Sequence, residues 1–188
     1  MTHNHTDILI IGAGAAGLMA GIWAGRTNPT RRIVILDGAS KLGAKILVAG
    51  GGRCNVTHDV VTADAFAGSS RHAIGKVLRH FDVPQVVQFF RELGVELKRE
   101  ETGKLFPVTD SAKTVLYALL TAAATANVTI LHPRRVETVQ KTEAGFVVGG
   151  NWGEMTATNL VLATGARACP KAVPMDMVMP SPNNWATA

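Results

Sequence analysis

The chain has 188 residues, 47% of them hydrophobic and 18% charged, with a formal net charge of +5. That composition suits one globular unit with a packed core and excludes a disordered, collagen-like or disulfide-rich chain. Cys54 and Cys169 form no disulfide or metal-ligand spacing, and no basic n-region opens the chain, so a reducing, cytoplasmic setting without a bound metal is expected.

Met1 to Thr6 is polar, and His3 and His5 read as a solvated terminus. Ile8 to Ile11 is a β-branched apolar run, the pattern of a strand buried on both faces. Gly12-Ala13-Gly14-Ala15-Ala16-Gly17 follows at once, then a helix of small and apolar residues over Leu18 to Gly25. Arg32 to Leu36 is a second strand and ends at Asp37. Strand, G-x-G-x-x-G, helix, strand and acid make up the dinucleotide fingerprint in its full context. Gly12 permits the tight turn, Gly14 lets the backbone approach a pyrophosphate, and Gly17 lets the helix pack closely. The helix N-terminus offers N–H groups to phosphate, and Asp37 can accept from ribose hydroxyls. Ile8 to Gly25 is apolar enough to score as a membrane span, but its glycines stand at fingerprint spacing, and it reads as strand plus helix.

Lys41 to Asn55 holds Gly50-Gly51-Gly52 followed by Arg53, Cys54 and Asn55. Three glycines in a row disfavour a helix and suit a loop whose amides, with the Arg53 guanidinium, lie against an anionic or planar ligand. Cys54 beside Arg53 is in a position where a thiol pKa can be lowered, making it a weak catalytic candidate; packing is the commoner role. Arg71 to Phe81 and Val83 to Leu93 form a helical pair that reads as structural, with Asp82 and Gln85 as a capping box and Gly94 as the stop. Val95 to Lys98 and Lys104 to Val108 read as short strands. Asp110 or Thr109 is expected to cap a helix with Val115, Leu116 and Leu119 inward. Val128 to Leu131 returns to the parallel sheet. Arg135 to Gln140, Gly145 to Val148 and Glu154 to Thr158 predict a small antiparallel meander. Leu160 to Gly165 predicts a last buried strand ending in Ala-Thr-Gly. The fold class is therefore α/β: a Rossmann-like FAD/NAD(P)-binding domain with a parallel sheet, a helical and hairpin excursion over residues 66–110 and a meander. A meander where a crossover helix would stand favours FAD over NAD at the first fingerprint.

Four motifs together carry a resemblance: Gly12-Ala13-Gly14-Ala15-Ala16-Gly17, Ala49-Gly50-Gly51-Gly52-Arg53-Cys54-Asn55, Gly103-Lys104-Leu105-Phe106-Pro107 and Leu162-Ala163-Thr164-Gly165. The chain resembles the BaiN/RdsA-like flavoproteins, bacterial NAD(P)/FAD-dependent oxidoreductases with a glutathione-reductase-type FAD domain. The likeness runs from Asp7 to Lys171. It implies FAD held by Gly12, Gly14, Ala15, Ala16, Gly17, Asp37, Lys45, Gly51, Gly52, Arg53, Asn55 and Val136, with Thr164 and Gly165 closing the site. It also implies reduction by NAD(P)H and hydride delivery to an unsaturated small-molecule or RNA substrate, such as a bile-acid intermediate or a uridine of ribosomal RNA. The basic charge mildly favours RNA. Lys98, Arg99 and Lys104 are candidates for phosphate contact, although a solvated face is the commoner role. The competing readings are a non-catalytic nucleotide- or RNA-binding module and an NAD-binding dehydrogenase domain.

Ala166 departs from the second glycine that the family pattern usually has there, and family members are about twice as long. Residues 172–188 lack periodicity and hold three prolines and three methionines. Read one base back, the codons for Met175-Asp176, Met177-Val178 and Trp185-Ala186 each force glycine, and the remainder permits a glycine-rich flavin segment. The expectation is a frame slip near Lys171 or Ala172, making residues 1–171 the N-terminal portion of an FAD-binding domain and the short chain inactive by itself.

Overall fold

The computed structural model describes residues 4–68 and 70–165; the readings on Ala166 and on residues 172–188 lie outside them. The first strand, β1 (His5–Ile11), feeds α1 (Ala15–Thr27), which returns to β2 (Ile33–Leu36). β1 and β2 pair in parallel from Ile8↔Ile33 to Ile11↔Leu36. All four β2 side chains are buried, as a strand covered on both faces requires. α5 (Ala112–Thr125) leads into β6 (Val128–Leu131), which pairs in parallel with β2. The side chains alternate between two cores, as the two-residue period of a strand dictates. Ile10, Ile33 and Ile35 join Leu18 and Ile22 of α1 and Leu119 and Ala123 of α5. Leu9, Ile11, Val34 and Leu36 face the opposite way, against Val136, Val148, Met155 and Ala157.

Between β2 and α5 the chain makes α2 (Ala44–Val48), a 3-10 turn (Ala49–Gly52) and a short strand β3 (Thr57–His58). It continues through α3 (Arg71–His80) and α4 (Val83–Glu92) to β4 (Leu97–Arg99) and β5 (Lys104–Pro107). The Asp82–Gln85 capping box forms in both directions, at 2.9 Å and 2.8 Å, because its partners are three residues apart and need nothing from elsewhere. β4 and β5 pair antiparallel, and β3 adds to β5; this third strand was not expected. The cap of α5 is also corrected. Ser111 holds the N-cap position without a side-chain bond. The Asp110 carboxylate instead pairs with Lys98 and Arg53, and Thr109 Oγ1 meets Thr114 Oγ1 at 2.7 Å.

The C-terminal strands differ most from expectation. β7 (Thr138–Thr142), β8 (Gly145–Gly150) and β9 (Gly153–Leu162) do form. However, the third meander strand and the last parallel strand are one continuous ten-residue strand. β9 pairs antiparallel with β8 from Gly153 to Ala157 and parallel with β1 from Thr156 to Leu162. The meander is thus joined to the main sheet, whose order is β6-β2-β1-β9-β8-β7. No helix among the described residues is long and apolar enough to cross a membrane.

Candidate functional site

At the C-terminal ends of β1, β2 and β9 lies a cavity of about 570 Å³, the crevice position where parallel α/β sheets take their ligands. Gly12, Gly14, Ala15, Ala16 and Asp37 line one end, and Lys45, Cys54, Asn55, Thr164 and Gly165 line its walls. These ten positions, spread over the chain in the sequence, are gathered into one site.

The fingerprint glycines do three different jobs. Gly12 sits at φ +106°, and a Cβ there would stand 2.5 Å from the Ala163 carbonyl oxygen. A Cβ at Gly17 would overlap the Gly12 carbonyl oxygen, so this glycine sets how closely α1 approaches the turn. A Cβ at Gly14 would meet no protein atom within 4 Å. Nothing in the packing demands glycine there; the space in front of it is left free. Gly14 is also the N-cap of α1, which has no side-chain cap and no acidic residue in its first turn. The positive end of the helix therefore opens onto the cavity with no acidic residue of its own first turn to neutralise it. Asp37 Oδ2 accepts from the Ala13 N–H at 2.6 Å and Oδ1 from the Ala39 N–H at 2.8 Å. The carboxylate is thereby held beside the glycine turn, with lone pairs left over for a ligand.

The glycine loop is as irregular as its composition demands: Gly50, Gly51, Gly52 and Cys54 all have positive φ. Cys54 and Asn55 reach the cavity, but Arg53 does not line it. Its guanidinium lies 4.1 Å from the centre of the Phe106 ring, bonds Glu100 and stands 3.7 Å from Asp110. The lowered thiol pKa is overturned as well. Burial pushes the Cys54 thiol up, and the neighbouring cation is committed to carboxylates. Val136 is 5% exposed and packs in the core beneath the sheet. Lys98 and Arg99, two of the three candidates for phosphate contact, are paired with Asp110 and Asp59. The Lys98 and Arg99 hydrogen bonds hold the Asp110 and Asp59 carboxyls below the usual carboxylate range.

The inner wall was missed in the sequence. Met19, Phe81, Val86, Phe90, Val115 and Leu119 line it, so the helical pair taken as structural also shapes the site. These residues carry the ordinary apolar period of core helices, and only the packing of α3–α4 over α1 turns that face towards a ligand-sized space.

The HI0933-like protein Rossmann domain model matches residues 6–177. A 3-dehydro-bile acid delta(4,6)-reductase of Clostridium scindens is 33% identical over 85% of this chain and 39% of its own length. A ribosomal RNA dihydrouridine synthase of Escherichia coli is 34% identical over 87% of this chain and 40% of its own. The chain thus spans about two fifths of the curated relatives it matches. Among solved structures, quinol fumarate reductase FrdA of E. coli superposes with a TM-score of 0.64 at 16% identity, over 88% of this chain and 33% of that one, which shows a shared fold. With the family model covering both the fingerprint and the glycine loop, the chain belongs to the HI0933-like Rossmann-domain family.

Proposed function

We propose that this chain is the FAD-binding part of a flavin-dependent oxidoreductase that takes hydride from NAD(P)H and reduces an unsaturated substrate. The observation that carries the reading is the cradle at Gly14, where a Cβ would meet no protein atom, at the mouth of an uncapped helix with Asp37 fixed beside it. A pyrophosphate suits the amides of Gly14, Ala15 and Ala16, and a ribose suits Asp37. Lys45 adds a cation to the cavity lining; a Cβ at Gly165 would stand 3.2 Å from its Nζ. Gly51 and Gly52 have left-handed backbone and do not themselves line the cavity, and a Cβ at Gly51 would meet no protein atom within 4 Å. FAD, when bound, supplies the two-electron carrier; the chain supplies its placement and the apolar wall that keeps water from one side. The substrate class follows the two relatives' names, and of their substrates the +5 charge favours a uridine in ribosomal RNA.

The test is to purify the full-length protein and record its absorption spectrum, then identify any cofactor released on denaturation. A yellow protein that releases FAD, and whose flavin band NADH or NADPH bleaches, is the expected result. A colourless protein that leaves the fluorescence of added FAD unchanged would sink the proposal. Tight NAD binding at the same cavity would replace it with a dehydrogenase reading.

A further inference from the structure

Two sequence motifs meet in the structure although only one of them borders the cavity: Gly50-Gly51-Gly52-Arg53-Cys54-Asn55 and Leu105-Phe106-Pro107. The Arg53 guanidinium lies over the buried Phe106 ring and is flanked by Glu100 and Asp110. Asp110 is held from its other oxygen by Lys98 of β4. The loop is also tied to β5 through its backbone, with Val56 N–H donating to the Leu105 carbonyl at 2.9 Å. Gly50 leaves room for the same ring; a Cβ there would stand 2.7 Å from Phe106 Cε1. Three left-handed glycines in a row lose much conformational freedom on ordering and have no side chains to secure them. The first side chain after them is Arg53, which is 39% exposed and meets Phe106, Glu100 and Asp110. A planar guanidinium can stack flat on a ring while its edge bonds carboxylates, whereas a compact ammonium has no planar face to stack.

We propose that Arg53 is a positioning residue: it locks the glycine loop onto β5 and so sets the cavity wall at Ala49, Cys54 and Asn55 without touching the cofactor itself. Gly50 to Cys54, with positive φ at Gly50, Gly51, Gly52 and Cys54, joins the wall residues Ala49 and Cys54. Holding it in place beforehand lowers the ordering cost that a ligand would otherwise meet. On this inference Leu-Phe-Pro is the seat of the lock, which accounts for a motif that no cofactor contact explains. The inference rests on the FAD reading above.

The experiment uses the full-length protein with FAD as the probe, and compares R53M, E100Q/D110N and the triple variant by FAD titration and bound-flavin absorption. Both R53M and E100Q/D110N are expected to raise the FAD Kd about tenfold and to displace the bound-flavin band in the same direction. The triple variant is expected to be no weaker than R53M, since all three remove one lock. R53K, which keeps the charge and loses the stacking, should fall between wild type and R53M; if R53M fails to fold, R53K and E100Q/D110N decide. Loss of binding in the arginine variants with wild-type affinity in E100Q/D110N would overturn the proposal in favour of direct contact between Arg53 and the cofactor. Wild-type affinity and spectrum in every variant would also overturn it. Wild-type protein that takes up no FAD would instead remove the functional reading on which it rests.

Discussion

Gly14 faces empty space, whereas Gly17 faces a carbonyl oxygen. Substitution should therefore separate ligand binding from folding. Gly17→Ala gains helix propensity but drives a methyl into the Gly12 carbonyl, and a net loss of about 2 kcal/mol is expected in thermal or urea melts. Gly14→Ala should change stability by less than about 1 kcal/mol. It should also weaken FAD about tenfold or more, equivalent to ~1.4 kcal/mol, because its methyl enters the cradle. If the two variants melt alike, the assignment of their roles is wrong. Cys54 offers a second check at this scale. With a thiol 7% exposed and its pKa raised by burial, its thiolate fraction at neutral pH is small. Iodoacetamide mapped by mass spectrometry should label Cys54 slowly in the folded protein and readily in urea; rapid labelling of the folded protein would show an activated thiol instead.

Among the elements, α4 shows what local chemistry can announce. Asp82 and Gln85 stand three residues apart, and their mutual bonds were legible before any fold was known. Asp82→Ala should cost about 1 kcal/mol, measured as a shift in the urea midpoint. The cap of α5 was not legible, because Asp110 is claimed by Lys98, twelve residues earlier, and by Arg53 from another loop. The small sheet is held by carboxylates of this kind. Asp59 accepts from Arg99 at 2.5 Å, and Asp110 from Lys98 and Arg53. Their folded pKa values are depressed, so the stability they add is present above the ordinary aspartate pKa of ~3.9 and is lost as pH falls through the lower folded values. In circular dichroism from pH 6 to pH 2, D59N/D110N should start less stable and lose less below pH ~4 than wild type. An identical acid profile would assign the acid sensitivity to other groups.

For the whole molecule, the sheet order leaves an asymmetry. β9 is covered by β1 along its second half, but β8 accompanies it only as far as Ala157. On that side, among the described residues, the backbone of 158–162 faces no strand, and Leu162 is 50% exposed. An unpaired edge beside an exposed leucine favours pairing with another chain. Sedimentation or size-exclusion of the 188-residue chain should show self-association that rises with concentration and falls in L162K; a monomer at all concentrations would count against the edge.

Much of this protein was written locally. The βαβ unit, the glycine turn, Asp37 and the capping box depend on residues that are neighbours in the chain or on one apolar period, so the residue types sufficed. The tertiary structure decided three things. It made β9 one strand instead of two, because β1 and β8 claim overlapping parts of it. It placed the Arg53 guanidinium over Phe106 and against Glu100 and Asp110, all more than forty residues later in the chain. It brought Phe81, Val86 and Phe90 to the inner wall, because an apolar helix face does not specify whether it meets a core or a cavity. In each case the deciding contact joins residues distant in the chain, and pairing at that range is set by how the elements pack rather than by the residues on either side.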